Sequence, residues 1–155
     1  MKVTLIVACS AVIMAAQEVQ PIRFELLLKL STDTSRVFVR NFWATWCKPC
    51  VEEMPVFDSL VQRYPTVKVE LISIDTPADS DRVRTFWRRR GFSGVHVYHL
   101  VEKIRSEQID TVSPLWSGAI PMTIVGRGKC HIVHEGGLSL SELEQLIERV
   151  RQSEH

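Results

Sequence analysis

Two kinds of hydrophobic pattern alternate along this chain, and each predicts a different secondary structure. Short runs of β-branched and aromatic residues, either continuous or alternating with polar residues, are typical of buried strands. Strands are predicted on this basis at residues 37–43, 67–75, 95–100, 121–125 and 130–134. The last two flank Gly126-Arg127-Gly128, a glycine-containing turn that predicts a hairpin.

Between the strands, apolar residues recur every three or four positions, which predicts amphipathic helices. Helices are expected on this basis at residues 21–30, 49–63 and 79–90. A polar turn is expected at 31–35, after the first of them. Pro55 lies inside the second helix and is expected to kink it.

The helix nearest the carboxyl terminus has a start signal of its own. Ser139 is followed three residues later by Glu142, which is the spacing of a capping box, and the helix is expected to end near residue 151. Residues 101–118 show the least clear pattern. They are predicted to be mostly irregular, with room for a short helix.

The order strand, helix, strand, helix, strand, then hairpin and helix predicts a domain of the α/β class. Strand–helix–strand units give parallel neighbours with helices covering the sheet, whereas the hairpin adds an antiparallel pair. The central sheet is therefore expected to be mixed. Because no repeat, low-complexity segment or linker interrupts it, residues 17–155 are interpreted as a single domain.

The first sixteen residues differ from the rest of the chain. Lys2 is followed by an apolar run that ends in small residues before Gln17, which is the organisation of a secretory signal peptide. We therefore predict a cleaved signal at 1–16 and a periplasmic or otherwise extracytoplasmic domain. An uncleaved membrane anchor and a buried first strand are the alternatives. A lipid-attachment site at Cys9 is a third, although the run before this cysteine is short.

Composition is that of a folded domain and excludes several classes of protein. Of the 155 residues, 45% are hydrophobic and 24% are charged, which is not the balance of a disordered chain. Nineteen Lys and Arg oppose eighteen Asp and Glu, so the net charge of +1 lacks the strong basic field of a nucleic-acid-binding protein. The arginines of residues 82–90 are interpreted as the solvated side of a helix.

The segment Cys47-Lys48-Pro49-Cys50 lies where a predicted strand meets the start of a helix, and it is the main candidate for chemistry. Free N–H groups and a partial positive charge at a helix amino terminus stabilise a thiolate. Cys47 is therefore expected to be the attacking thiol and Cys50, one turn later, the thiol that resolves a mixed disulfide. A disulfide across so short a loop restrains little of the unfolded chain, which disfavours a purely structural bridge.

A zinc site is the main alternative for such a cysteine pair. Structural zinc normally takes four ligands, but Cys9 and Cys130 are isolated and form no second pair. His96 and His99 are three residues apart in a predicted strand and point to opposite faces, as do the two histidines of the last strand. We therefore predict no metal ligands. Cys130 is interpreted as a small buried hydrophobic residue, with a third redox thiol as the alternative.

The residues around the cysteine pair resemble a known family. Residues 41–55, NFWATWCKPCVEEMP, resemble the active-site segment of thioredoxin-fold proteins, and more narrowly that of the TlpA/ResA-like thiol–disulfide oxidoreductases of bacterial cell envelopes. The resemblance extends over residues 37–150. It implies a thioredoxin fold, in which a mixed central β-sheet is flanked by helices on both faces.

The resemblance also implies roles for residues outside the cysteine pair. Pro121 matches the family's cis-proline beside the active-site disulfide, where the backbone of Ile120 is expected to pair with a substrate chain; an ordinary trans proline that opens a strand is the alternative. Glu53 matches a glutamate near the active-site sulfurs, where it is expected to exchange protons with the thiols. The alternative for Glu53 is a solvated residue like Glu52. Asn41 stands where ordinary thioredoxins have a buried aspartate, and an amide cannot shuttle protons.

Two tryptophans precede Cys47 in this segment. Trp46 is interpreted as an apolar wall beside the sulfurs and a platform for substrate, with simple packing as the alternative. Trp43 is assigned to the core.

By this resemblance the chain is expected to exchange disulfides with client proteins, in the reducing direction. Its clients would include apocytochrome c thiols before haem attachment, and a membrane-embedded thiol donor would supply electrons. No metal or organic cofactor is expected, because the electrons travel on the cysteines. We expect a monomer. A non-catalytic module that delivers clients or copper is the alternative, since thiolates suit Cu(I).

Overall fold

The structure is a computed structural model, and it describes residues 18–30 and 35–153. The predicted signal peptide, Cys9 and most of the turn at 31–35 lie outside the described residues. The strands are β1 (Gln20–Ile22), β2 (Phe38–Trp43), β3 (Lys68–Ser73), β4 (His96–Leu100), β5 (Met122–Arg127) and β6 (Cys130–Glu135). The helices are α1 (Phe24–Lys29), α2 (Lys48–Arg63), α3 (Ser80–Arg88), α4 (Ser106–Val112) and α5 (Leu140–Gln152). A short 3-10 helix, Pro77–Asp79, leads into α3.

The strands form one sheet in the order β1-β4-β3-β2-β5-β6. The first four of these are parallel to their neighbours, whereas β5 is antiparallel to β2 and β6 is antiparallel to β5. The predicted mixed sheet is therefore confirmed. Because β2 and β3 occupy the centre, their side chains are buried along almost their whole length.

Helices cover both faces of this sheet. On one face, Phe57 of α2, Val83 of α3 and Leu143 of α5 belong to a single hydrophobic cluster. On the other face, Leu27 of α1 packs in a second cluster with Trp116 and with the inner side of α4. Among the described residues, no helix is long and apolar enough to cross a membrane.

The beginning of the domain differs from the prediction. A helix was expected over 21–30, but Gln20–Ile22 is a strand, and the helix begins only at Phe24. β1 lies at the edge of the sheet, where a proline is tolerated because its missing N–H faces no partner strand. Its pairing with β4, for example Gln20 with Tyr98, joins residues far apart in the chain and leaves no local periodicity.

The predicted hairpin is present, but its turn lies two residues later than expected. β5 continues through Gly126, which pairs with His131 of β6. Glycine fits this strand position because a Cβ here would lie 2.5 Å from the ring of Phe38 on β2. The turn follows at Gly128, whose φ of 58° is the left-handed conformation that glycine accepts readily.

The capping box predicted at residues 139–142 is confirmed. Ser139 caps α5, accepting from the Glu142 backbone N–H while the Glu142 side chain reaches back to the Ser139 N–H. The short helix allowed within 101–118 is α4, and α2 continues through Pro55 without interruption.

Candidate active site

Cys47 is the residue that caps the amino end of α2, and its sulfur is bonded to that of Cys50. β2 ends at Trp43, and the chain turns so that the Cys47 N–H donates to the Ala44 carbonyl oxygen at 3.1 Å. Pro49 lies in the first helical turn, where its missing N–H leaves no helical hydrogen bond unmade. The sequence therefore places the disulfide at the junction of a central strand with a helix.

The two sulfur-bearing residues are not equivalent. Cys47 is 6% exposed and Cys50 is 1% exposed, so Cys47 is the more accessible of the two to another molecule. The Cys50 backbone N–H points at the Cys47 sulfur at 3.3 Å, which is the arrangement that stabilises negative charge there. Lys48 is highly exposed and lies 3.7 Å from Glu52, so its ammonium is turned toward solvent.

The segment before β5 forms the wall opposite the disulfide. The Ile120–Pro121 peptide bond is cis, as the resemblance implied. The carbonyl oxygen of Ile120 lies 3.8 Å from the Cys47 sulfur. The Pro121 carbonyl accepts from the Gly136 N–H at 2.9 Å, which ties the start of β5 to the end of β6.

A clamp that the sequence did not indicate holds this segment. Trp116 is buried, packs on Phe42 with ring centroids 4.7 Å apart, and donates its indole N–H to the Ala119 carbonyl at 2.7 Å. The backbone N–H and the hydroxyl of Ser117 both donate to the Glu135 carboxylate. The loop that carries Ile120 is thus fastened to the core on one side and to β6 on the other.

Glu53 is buried, and its carboxylate is held by two donors. Asn41 on β2 donates its side-chain N–H to Oε1 at 2.9 Å, and the Leu138 backbone N–H donates to Oε2 at 3.0 Å. The same Asn41 amide also donates to the Thr123 hydroxyl. Glu53 is therefore not a solvated residue like its exposed neighbour Glu52. Asn41, at the position where thioredoxins carry a carboxylate, instead orients one.

Burial raises the pKa of Glu53 from 4.5 to about 7, although the hydrogen bonds from Leu138 and Asn41 act in the opposite direction. Its protonated form is thus favoured in the folded protein relative to the unfolded chain. The stabilisation is fully present below about pH 4.5 and is lost as the pH rises through about 7, because the unfolded chain then releases its proton more readily. The difference corresponds to about 3 kcal/mol.

We therefore expect Glu53→Gln to flatten the pH dependence of stability between about pH 5 and pH 8. Urea unfolding at several pH values measures this, as the difference between the free energies of the variant and the parent. Glu52→Gln is the matched control, because the same change on an exposed neighbour should leave the pH dependence as in the parent. Parallel curves for Glu53→Gln and the parent would contradict the assignment.

A second buried carboxylate supports the turn just before Cys47. Asp75, two residues after β3, accepts hydrogen bonds from the backbone N–H and the hydroxyl of Thr45, from the Ser73 hydroxyl and from Arg82. Burial alone would raise the pKa of Asp75, but these donors together hold it below its usual value. Sequence reasoning missed this group, although an aspartate that ends a buried strand next to the cysteine segment was a visible signal.

The two tryptophans occupy different environments. Trp43 is fully buried against Phe86, with ring centroids 5.4 Å apart, as predicted for a core residue. Trp46, adjacent to Cys47, is 63% exposed, so its ring is not simply packing material. An exposed indole beside a disulfide is a surface that a polypeptide can contact.

Cys130 does not match its prediction as a buried hydrophobic residue. Cys130 is only half-buried, and its sulfur accepts from the Ser153 hydroxyl at 2.9 Å. β6 is the outer strand of the sheet, which leaves this side chain partly exposed. In the part of the chain that the structure describes, no three His, Cys, Asp or Glu side chains are grouped to hold a metal ion.

The chain is similar in sequence to known redox proteins. A family model for thioredoxin matches residues 17–87. ResA, a thiol-disulfide oxidoreductase of Geobacillus thermodenitrificans, is 27% identical over 113 residues, covering 72% of this chain and 61% of that protein. ResA of Bacillus anthracis is 41% identical over 51 residues, covering 33% of this chain and 30% of its own length. The chain thus spans less than two thirds of the length of these curated relatives.

Solved structures share the fold. A thioredoxin-related protein from Neisseria meningitidis serogroup B is 24% identical with a TM-score of 0.64, covering 79% of this chain and 90% of that one. A secreted Mycobacterium tuberculosis disulfide oxidoreductase homologous to E. coli DsbE is 18% identical with a TM-score of 0.55, covering 74% and 81%. These similarities show the thioredoxin fold.

Proposed function

We propose that this chain, whose residues 17–87 match a family model for thioredoxin, is a thiol–disulfide oxidoreductase that reduces client proteins outside the cytoplasm. One observation carries the proposal. The disulfide between Cys47 and Cys50 caps a helix, and the Ile120 carbonyl oxygen lies 3.8 Å from the more accessible sulfur. A redox couple and a backbone site for a client strand therefore meet at one place.

The reaction begins with the reduced pair. The Cys47 thiolate attacks one sulfur of a client disulfide; the client S–S bond breaks, a mixed disulfide forms, and the other client sulfur leaves as a thiolate that takes up a proton. Cys50 then loses its proton and attacks the Cys47 sulfur, which breaks the mixed disulfide and releases the second client thiolate. Two electrons pass to the client, and the Cys47–Cys50 disulfide remains for a dithiol donor to reduce.

Glu53 is the group that we assign to proton exchange with Cys50. It lies on α2 one turn after this cysteine and is buried. A carboxyl whose pKa is about 7 is poised to take up and return a proton near neutral pH. Its hydrogen bonds from Asn41 and Leu138 keep the carboxylate oriented in both protonation states.

Client binding is assigned to the backbone of Ile120 and to Trp46. An extended client segment would pair with the Ile120 backbone in the manner of an added strand, beside Pro121. The exposed indole of Trp46, the residue before Cys47, offers apolar contact. These contacts depend little on sequence, so they suit an enzyme that acts on several clients.

Location and direction are the finer parts of the proposal. The signal sequence predicted at 1–16 and the similarity to a secreted structural neighbour support an extracytoplasmic site of action. The similarity to ResA, a thiol-disulfide oxidoreductase, supports redox exchange with protein thiols. Cell fractionation of the full chain tests the location.

The activity is tested with purified protein and insulin as the client. We expect catalytic amounts of the reduced chain to accelerate the reduction of insulin by dithiothreitol, followed by turbidity. Equilibration with glutathione buffers gives the reduction potential, which we expect to be more negative than the about −180 mV of protein disulfide isomerase. Failure to accelerate insulin reduction would overturn the proposal, and a potential above that value would reverse its direction.

A further inference from the structure

The exposed side of α3 carries a basic groove that the proposed reaction does not use. It is a depression of about 600 Å³. The groove is lined by Asp81, Arg82, Thr85, Phe86, Arg89 and Arg90. Three guanidinium groups thus line a cavity with a single carboxylate, on a chain whose net charge is only +1.

The charges in this groove are unequally neutralised. The Asp81 carboxylate is paired with Arg84 outside the groove at 2.6 Å. Arg82 is paired with the buried Asp75 and with Asp79. Within the described residues, the Arg89 side chain has no ion-pair or hydrogen-bond partner, and the Arg90 guanidinium lies 4.5 Å from the ring centroid of Phe86. The far end of the groove therefore carries uncompensated positive charge.

The near end of the groove is joined to the disulfide segment by direct contacts. Arg82 Nε donates to the Thr45 hydroxyl at 3.0 Å, and Thr45 precedes Cys47 by only two residues. Phe86, which lines the groove, packs against Trp43 at the end of β2. A polypeptide held at Cys47 therefore has the groove immediately beside it.

The dimensions fit a short extended segment. A helix rises 1.5 Å per residue, and Arg89 follows the end of α3 with helical backbone angles, so it lies about 10 Å beyond Arg82 along the helix axis. An extended chain advances about 3.3 Å per residue, so about three residues cover this distance. Acidic side chains about three to six residues from the client cysteine would then reach Arg89 and Arg90.

We propose that this groove binds an acidic segment of the client polypeptide next to the disulfide being exchanged. Guanidinium groups bind carboxylates through paired hydrogen bonds, and Arg89 and Arg90 are free to do so. Phe86 also lines the groove and supplies apolar contact for the methylene groups of the client's acidic side chains. This inference rests on the proposed function and gives it a substrate preference.

The variant for the test is Arg89→Glu/Arg90→Glu, which reverses the charge of the groove without touching a residue that holds the disulfide. Lys29→Glu/Arg149→Glu is the matched control. It changes the net charge equally and also places acidic residues near helix carboxyl ends, at α1 and α5. Arg82 is left intact because it supports Thr45.

Three disulfide peptides serve as substrates, with Asp, Gln or Lys at three to six residues from the cysteine, and neutral hydroxyethyl disulfide serves as a reference. We expect the parent to reduce the acidic peptide about tenfold faster in kcat/KM than the Gln peptide. The groove variant should lose this preference while it keeps its rate with hydroxyethyl disulfide. Equal loss with every substrate, or no preference in the parent, would overturn the inference.

Binding separates this inference from the proposed function. Fluorescence anisotropy with a cysteine-free acidic peptide and the oxidised chain needs no turnover, and we expect about tenfold weaker binding to the groove variant than to the parent or the control. Equal binding to all three proteins would refute the groove even if hydroxyethyl disulfide were reduced. Vesicles of anionic phospholipid test the other possible ligand. If they bind the parent through the same arginines more strongly than the peptide does, the groove is a membrane-binding site and the inference of a client segment is overturned.

Discussion

Cys47→Ser is expected to lower the rate of insulin reduction at least about 1000-fold, because the alcohol that replaces the thiol is neither ionised near neutral pH nor a redox partner. Cys50→Ser should also stop turnover, but for a different reason. Its Cys47 still attacks, and without a second thiol the mixed disulfide persists. Gel electrophoresis without reductant should therefore show a disulfide-linked client adduct with Cys50→Ser and none with Cys47→Ser. Dithiothreitol should cleave this adduct.

Cys130→Ser is the control for these two variants. Cys130 is half-buried on β6 and contacts Ser153, so its removal should leave the exchange rate within about twofold of the parent. Retained activity in Cys47→Ser, or an adduct that forms through Cys130, would show that the disulfide at the start of α2 is not the reacting couple.

The second large effect concerns a buried ion pair in the centre of the sheet. Arg40 of β2 donates to the Glu70 carboxylate of β3 from Nε at 2.9 Å and from Nη2 at 2.6 Å, and Lys68 contacts the other carboxylate oxygen at 2.7 Å. Glu70 is fully buried and Arg40 is 6% exposed. Glu70→Gln leaves the guanidinium without its counter-charge in a site that water does not reach. We expect this to lower the free energy of unfolding by about 3–5 kcal/mol, measured by urea unfolding.

Two comparisons make that expectation specific. Glu144→Gln removes the same charge from the exposed pair with Arg63 and should cost no more than about 1 kcal/mol. Replacing both partners, as Arg40→Met/Glu70→Leu, should recover much of the stability lost in Glu70→Gln, because no unpaired charge remains. If Glu70→Gln and Glu144→Gln were equally mild, the buried pair would contribute no more than a surface one.

The features that the sequence predicted are those decided by neighbouring residues. The strand before Cys47, the helix after it and the cap at Ser139 each depend on residues that are close together in the sequence. The hairpin was predicted for the same reason. Its turn was misplaced because the room available at Gly126 is set by Phe38, which belongs to another part of the chain.

The features that were missed depend on residues that meet only after folding. The Glu53 carboxylate is oriented by Asn41, 12 residues away, and by Leu138, 85 residues away. Asp75 reaches back 30 residues to Thr45. Polar residues such as Asn41 and Thr123 within otherwise apolar strands were the visible signal, since a buried polar group requires a partner. Periodicity indicates that such a partner exists and not which residue it is.

The clamp formed by Trp116, Ser117 and Glu135 has a consequence for which clients can react. Because the segment that carries Ile120 is already fastened at both sides, it loses little conformational freedom when a client strand pairs with it. The loss of conformational entropy on binding then comes almost entirely from the client chain. Under the proposed function, client cysteines that are buried in a folded domain cannot reach the rigid Ile120 backbone as an extended strand. Exchange is therefore confined to clients that are still unfolded around their cysteines.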